Sequence, residues 1–307
     1  MGIFVLLAHF GYNKRMPNVK NSAEWIDILR PTKKDLELLK KRFRIHPVII
    51  EELKGPSARS RVEAYKNYLY LIYYFPVYDP EEETSRRTEI DFLITKNTVI
   101  TVHYEPLEVL AVFKTKATDD SLKLAYRLIE ALLHFQERQL HHIREKVEAI
   151  GKELFKDKER EVLKRISRLK RDISEYRIIV GHQGPILKSL LTKCTPFEDF
   201  KYAEPYLNDL IGDHIKIVVQ LNDCHETISD FESTNEQLMN LKINDVMKTF
   251  TILSFLTFPF MLIAALFGMN TRGIPVANLE NSFWIVLGFM AAAMVALIIY
   301  FKKKGWF

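Results

Sequence analysis

The chain has 307 residues, a net charge of +5 and 27% charged side chains. Acids and bases alternate along its predicted helices, and no basic-aromatic patch is present, so we expect no nucleic-acid partner. Cys194 and Cys224 lie too far apart to form a metal or redox motif. The sequence contains no nucleophile elbow, phosphate-binding loop or Rossmann motif, so we expect no enzymatic activity and no organic cofactor.

Residues 1–118 predict a mixed α/β domain. The apolar run at 3–8 predicts a strand, because it is too short to span a membrane and lacks a preceding basic region. Thr32, with Asp35 three residues later, predicts a helix start with a capping box, and this helix ends near Phe43. The remaining predictions are strands at 25–29 and 68–75, a helix opened by His46-Pro47, a loop containing 81–83 and Arg86-Arg87, and a hairpin of 90–95 and 98–103 turning at Lys96-Asn97.

Residues 119–248 predict long stalk helices. From Ser121 to Val180 apolar residues recur at three- and four-residue spacing, and Gly151 is the only weak breaker. Gly184-Pro185 and Pro196 are stronger interruptions. No Pro or Gly occurs from Asp213 to Phe258, so the last of these helices should continue unbroken into the membrane, with a bend at Pro259.

Residues 249–307 predict two membrane spans. Positions 249–271 and 281–301 carry no charged side chain. At about 1.5 Å per residue either stretch can cross a hydrocarbon core of about 30 Å. Lysines flank the spans at 242, 248 and 302–304, whereas the loop between them has only Arg272 and Glu280. This charge bias predicts a multi-pass protein of the inner (plasma) membrane with both termini in the cytoplasm. The expected fold class is α+β, with a cytoplasmic α/β domain, a long helical stalk and two transmembrane helices.

The first span ends at Gly268-Met269-Asn270, and a short outer loop, a second span and a basic tail with Trp306 follow. Ile45-His46-Pro47 with Glu51-Glu52, and the stretch from Pro205 to Asp209, are weaker motifs. In this layout the chain resembles the CorA-type divalent-cation transport family. The resemblance implies a homopentamer in the lipid membrane whose Gly268, Met269 and Asn270 form the mouth of a pore. Its cargo would be Mg²⁺, Co²⁺ or Ni²⁺, driven by the membrane potential.

The same resemblance implies which face of the first span lines the pore. Its members recur every three or four residues, as one helix face requires: Asn244, Met247, Phe250 or Thr251, Ser254, Phe258 and Met261, with Ala265 beyond them. Met247, Phe250 and Phe258 would form apolar constrictions, and Asn244 and Thr251 polar stations.

Control by cytoplasmic divalent ions is also implied by the resemblance. Asp209 is the best match to an acid that binds a regulatory cation between subunits, and Asp79 is its proposed partner. Asp213 and Glu226 are further candidates. Mg²⁺ would thus be both the transported and the regulatory ion.

Two alternatives remain open. Thr271-Arg272-Gly273-Ile274-Pro275 departs from the acidic stretch common after Gly-Met-Asn, and Gly273-Ile274-Pro275 is similar to the zinc-transporting branch. The first alternative is therefore a Zn²⁺ transporter of the same fold, coupled to protons. The second is a membrane-anchored coiled-coil scaffold that transports nothing.

Overall fold

A computed structural model describes residues 23–115, 120–156, 158–194, 200–269 and 281–305. The predicted strand at 3–8 and Pro196 lie outside these residues. The chain divides into two compact units between Phe231 and Glu232. The three-part division at residues 118 and 248 remains a prediction.

A five-stranded sheet organises the first unit, in the order β1-β5-β4-β3-β2. Its strands are β1 (Glu24–Leu29), β2 (Arg61–Ala64), β3 (Tyr68–Asp79), β4 (Thr84–Thr95) and β5 (Thr98–His103). β1 runs parallel to β5, and the other neighbours are antiparallel. The predicted turn at Lys96-Asn97 is confirmed by the β4–β5 pairing.

Two helices, α1 (Lys33–Phe43) and α2 (Pro47–Glu52), pack with the sheet around one apolar core. The predicted capping box is confirmed: the Thr32 N–H donates to Asp35 Oδ2 at 2.8 Å, and the Asp35 N–H donates to Thr32 Oγ1 at 3.4 Å. Leu39 and Ile49 are fully buried in this core. Burial of such side chains stabilises the sheet by about 1.5–3 kcal/mol each.

The predicted loop containing Arg86 and Arg87 is wrong. Both residues lie in β4, opposite Val77 and Pro76 of β3. At this end of β4 the buried residues, Thr84 and Ser85, are polar and the next two are exposed arginines, so no apolar alternation marks the strand. β2 and the short helix α3 (Glu108–Ala111) were not predicted, since four residues are too few to produce a periodic pattern.

The long helical stretch is a helical hairpin. α4 (Ser121–Glu153) and α5 (Glu159–Gly181) are separated at residues 154–158, where no Pro or Gly marks the break. The two helices touch through the Tyr176 hydroxyl, which donates to the Gln136 carbonyl oxygen at 2.9 Å. α6 (Gln183–Lys193) follows α5 after a break at His182, beside the predicted interruption at Gly184-Pro185.

The last two helices are α7 (Phe200–Phe267) and α8 (Ser282–Lys303). α7 has 68 residues and continues through Gly212 and Pro259 without ending. The prediction that the last stalk helix runs on as the first span is confirmed. Neither helix end falls between Asp209 and Phe267, so these residues belong to one continuous helix.

Candidate ion pathway and regulatory acids

The apolar ends of α7 and α8 are long and apolar enough to cross a membrane. A core helix of a soluble domain would be mostly buried. In the most apolar window of α7 only 11% of the residues are buried, and in that of α8 none are. Apolar side chains therefore face outward along both helices, as expected where lipid or further subunits surround them.

One face of α7 packs against α8 within the second unit. Ile252 and Phe260 are buried on α7, and Phe301 is buried on α8. The rings of Phe255 and Phe301 lie 6.5 Å apart, and Lys248 Nζ donates to the Gly305 carbonyl oxygen at 3.3 Å. These contacts define which side of α7 is occupied by α8.

The predicted pore residues lie on the opposite side of α7. At about 100° per residue, Met247, Phe258 and Met261 point roughly 180° away from the centre of the face that Ile252 and Phe260 define. Met247, Phe250, Phe258 and Met261 are each at least 60% exposed. Asn244, Thr251, Ser254 and Ala265 are exposed as well. All members of the predicted stripe are thus available to a surface other than α8.

The hydroxyl groups in this part of α7 donate to the helix itself. Thr251 Oγ1 donates to the Met247 carbonyl oxygen at 2.8 Å, and Ser254 Oγ donates to the Phe250 carbonyl oxygen at 2.9 Å. A hydroxyl has one proton to donate and two lone pairs that accept. With the proton engaged, each hydroxyl presents only acceptor capacity outward, which suits the water hydrogens of a hydrated cation.

Up to Met269, the last residue described before the loop, the C-terminal end of α7 has no left-handed residue. The Gly268 N–H donates to the Ala264 carbonyl oxygen at 2.9 Å, and the Met269 N–H donates to the Leu266 carbonyl oxygen at 3.3 Å. A Cβ at position 268 would lie 3.2 Å from that Ala264 oxygen, so glycine fits this turn closely. Of the glycines in the described ranges, only Gly305 has positive φ. Asn270, Arg272, Gly273-Ile274-Pro275, Glu280 and Trp306 lie outside the described residues.

The two predicted regulatory acids have different surroundings. Asp79 Oδ1 accepts from the N–H groups of Glu81 and Glu82, at 3.0 and 3.4 Å, and Asp79 Oδ2 lies 3.4 Å from Arg86 Nε. Asp79 therefore shapes the β3–β4 turn. No contact joins it to Asp209 among the residues described.

Asp209 instead belongs to an acidic group between α4 and α7. The Tyr126 hydroxyl lies 2.6 Å from Glu130 Oε1 and 3.2 Å from Asp209 Oδ2, although it can donate to only one of them at a time. Burial, followed by the charge of Asp209, raises the pKa of Asp213 one turn further along. Sequence reasoning missed Tyr126 and Glu130, because contacts between distant segments leave no local pattern.

A second pair of acids lies inside the sheet. Glu89 and Asp91, two residues apart on β4, are both buried. Both carboxylate oxygens of Glu89 accept from the Ser57 N–H, at 2.9 and 2.8 Å, and Asp91 Oδ2 accepts from the Tyr104 hydroxyl at 3.1 Å. Burial and then the charge of Glu89 raise the pKa of Asp91 well above its ordinary range. A proton on Asp91 lets it donate to Glu89.

Comparison with known families decides where this arrangement belongs. Residues 20–303 match the family described as CorA-like Mg²⁺ transporter protein. The chain belongs to the CorA family. Family membership agrees with the resemblance drawn from the sequence, and it makes the chain a transporter rather than an enzyme.

Individual CorA relatives support the same assignment. The cobalt/magnesium transport protein CorA of Thermotoga maritima is 26% identical over 298 residues, covering 93% of this chain and 84% of its own length. The complete structure of the CorA magnesium transporter from Methanocaldococcus jannaschii superposes with a TM-score of 0.81 at 21% identity, over 92% of this chain and 91% of that one. The full-length CmaX structure superposes with a TM-score of 0.67 at 17% identity, over 94% and 91% of the two chains. The predicted fold class is confirmed along nearly the whole chain.

Proposed function

We propose that this CorA-family chain forms a homopentameric channel that carries hydrated Mg²⁺, and also Co²⁺ or Ni²⁺, across the inner (plasma) membrane. The observation that supports it best is the exposed stripe of α7 from Asn244 to Met261, on the side away from α8. In a ring of subunits such stripes would face a common axis. Both termini would lie in the cytoplasm, as the flanking lysines favour.

The chemistry of the stripe suits an ion that keeps its water. Mg²⁺ demands octahedral oxygen geometry and dehydrates reluctantly. Neutral acceptors can hold its bound waters without replacing them: the Thr251 and Ser254 hydroxyls along the path, and the Asn270 amide with the Gly268 and Met269 carbonyls at the mouth. Rings of Met247, Phe250 and Phe258 would close the path by dewetting.

The membrane potential would supply the driving force. Two positive charges moving inward gain about 4.6 kcal/mol per 100 mV. The chain contains no phosphate-binding motif with which to couple transport to a nucleotide's hydrolysis. Passive influx down the membrane potential accounts for uptake without nucleotide hydrolysis.

Cytoplasmic Mg²⁺ would hold the channel closed through Asp209, with Asp79 of a neighbouring subunit as its proposed partner. Asp209 and Asp213 repel each other when no cation is bound, and a cation relieves that repulsion. Cation binding would also leave the Tyr126 hydroxyl to donate to Glu130 alone. We expect Asp209→Ala to weaken inhibition by internal Mg²⁺ without lowering the maximal flux, and unchanged inhibition would remove Asp209 from the mechanism.

A Zn²⁺ transporter of the same fold, coupled to protons, is the second candidate. The sequence Gly273-Ile274-Pro275 favours it, since the acidic stretch expected after Asn270 is missing. Arg272 would repel cations at the mouth unless Glu280 offsets it.

Flux into liposomes tests these readings together. Purified full-length chain is reconstituted, and uptake of Mg²⁺ and of Zn²⁺ is followed with and without a pH gradient. Mg²⁺ uptake that follows the potential supports the first proposal, and Zn²⁺ uptake that needs the pH gradient supports the second.

An Asn270→Ala variant, with Asn278→Ala in the same loop as its control, distinguishes a pore from a scaffold. Loss of flux only in Asn270→Ala supports the proposed mouth. If the wild-type chain carries neither ion, both transport proposals fail and the membrane-anchored scaffold remains.

A further inference from the structure

Two adjoining grooves lie along α4 in the first unit, outside the proposed ion path. The first, here called the α4–α7 groove, has a volume of about 560 Å³ and is lined by Arg138, His141, Arg144 and Lys216 among others. The second, the α3–α4 groove, has about 540 Å³ and is lined by Val112, Phe113, Lys114 and Arg127 among others. Arg138 lines both, so the grooves form one continuous surface.

This surface is strongly basic. Lys114, Arg127, Arg138, Arg144 and Lys216 line it, and Glu137 is the single acid among its described lining residues. Glu137 Oε1 is already held by Lys216 Nζ at 2.5 Å. Neither Arg138 nor Arg144 forms a salt bridge within the part of the chain that the structure describes. Cations that outnumber the acids around them repel each other, and a bound anion lowers that repulsion.

The spread of the cations indicates an anion with more than one charged group. Arg138 and Arg144 are separated by roughly 9 Å along the axis of α4, and Arg127 lies roughly 16 Å from Arg138 in the other direction. Arginine binds phosphate through two parallel N–H groups, which makes it suited to phosphate oxygens. His141 and His142 line the same groove and are both paired with Glu145, with His142 Nδ1 2.9 Å and His141 Nε2 3.5 Å from its carboxylate oxygens.

The α3–α4 groove adds an apolar surface beside the cations. Val112 is 67% exposed there. Phe113 is fixed by Trp25, whose ring packs edge-on at a centroid distance of 5.2 Å, and Arg127 lies 5.4 Å from the Phe113 ring. A flat aromatic group can pack on such a surface while its charged part reaches Arg138.

We propose that this surface binds a nucleoside polyphosphate, with the base on Val112 and Phe113 and the phosphates on Arg138 and Arg144. The proposal goes beyond transport and does not depend on it. Such a ligand would give the cytoplasmic unit a binding partner distinct from the divalent cation.

Isothermal titration of the full chain in lipid nanodiscs, without divalent cations, tests the proposal. The probes are adenosine triphosphate and inorganic triphosphate. We expect the nucleotide to bind with a Kd of about 1 mM or tighter, and more tightly than inorganic triphosphate. No binding of the nucleotide, or equal affinity for both probes, overturns the proposal.

Variants locate the site. Arg138→Gln should weaken both probes roughly tenfold, because it removes a charge-assisted phosphate contact. Val112→Ser should weaken only the nucleotide, and it is exposed enough to leave folding intact. Arg171→Gln, on an exposed position of α5 outside both grooves, is the matched control. If Arg138→Gln disturbs assembly, Arg127→Gln tests the loss of a positive charge in the α3–α4 groove. Wild-type affinity for the nucleotide in both Arg127→Gln and Val112→Ser overturns the assignment of the nucleotide to this surface.

Discussion

Both ends of α7 are helical, but they differ in how their apolar side chains are exposed. Many of these side chains are buried before residue 232, and most are exposed after residue 248. Between residues 203 and 231 Leu207, Leu210, Leu221 and Ile228 are nearly inaccessible, whereas Ile215 and Val219 are exposed. Between residues 249 and 267 the apolar side chains are outside, and among them only Ile252 and Phe260 are buried. The difference shows that the surroundings, water at one end and lipid or other subunits at the other, select which residues suit a helix.

The charges follow the same division. The first unit buries carboxylates such as Asp91 and Asp172, each held by hydrogen bonds. The spans contain no charged residue. A soluble unit can provide partners for buried acids, whereas a hydrocarbon core provides none and makes each charge costly.

Alanine substitutions near the two ends of α7 should differ most in their effect on the free energy of unfolding. Leu210→Ala removes a fully buried side chain and should lower the free energy of unfolding by about 2–5 kcal/mol. Met261→Ala removes an exposed one and should change it by about 0.5 kcal/mol. Chemical denaturation of the purified full-length chain in detergent measures both. Similar losses in the two variants would mean that Met261 is packed against another surface.

Replacement of a buried acid should change how stability depends on pH. The pKa of Asp91 is raised in the folded state, so that state binds the proton more tightly than the unfolded chain does. Below the ordinary pKa of 3.8, Asp91 makes its full contribution to the free energy of unfolding. This contribution is lost as pH rises through the raised pKa of the folded state. Asp91→Asn keeps the shape and a donor for Glu89.

The charged groups facing Asp91 must be considered in that experiment. They are Glu89 on its own strand and Glu52 from α2, and the neutral Tyr104 hydroxyl donates a hydrogen bond to Asp91. We expect the fall in melting temperature with rising pH to be smaller in Asp91→Asn than in wild type. Asp223→Asn, on an exposed position of α7, serves as the control. Parallel pH profiles for Asp91→Asn and wild type would show that no proton is held there.

A polar side chain on the stripe should make the closed path leak. Phe258 is 68% exposed on the side of α7 away from α8, and Phe258→Ser would let water into the constriction that we propose there. We expect resting Mg²⁺ flux to rise several-fold in liposomes. Leu253→Ser, on a different exposed face, should leave flux near wild type. An equal rise in both variants would place the constriction elsewhere.

The smallest effect is expected where Lys248 of α7 meets the end of α8. Lys248→Met removes the hydrogen bond to the Gly305 carbonyl oxygen and a cation near the C-terminal end of α8. The bond is exposed, so the free energy of unfolding should fall by about 0.5–1.5 kcal/mol. Lys303→Met is the comparison for lost charge alone. Equal changes in the free energy of unfolding of Lys248→Met and Lys303→Met would show that the effect comes from the lost charge and not from the hydrogen bond.

Sequence reasoning succeeded where local chemistry decides structure. The capping box at Thr32, the turn at Lys96-Asn97 and the continuity of α7 all follow from residues close together in the chain. It failed at residues 154–158, because α4 and α5 bury the same kind of stripe and their spacing does not mark the break.

In the candidate site, too, features set by local spacing were predictable from the sequence, and contacts between distant segments were not. The stripe on α7 follows from helical spacing, but the side taken by α8 depends on contacts such as Phe255 with Phe301. Tyr126 lies 83 positions from Asp209, and no pattern in either segment reports their contact. The mouth itself rests on the sequence of Gly268-Met269-Asn270.

The continuity of α7 also limits how its length can vary. Adding or removing one residue between residues 232 and 243 would rotate everything beyond it by about 100° about the helix axis. Since α8 follows α7 in the chain, the whole membrane segment would turn as one piece. A seven-residue change would rotate it by only about 20°. Insertions or deletions of seven residues in this part of the chain should therefore be tolerated, whereas those of one residue should not.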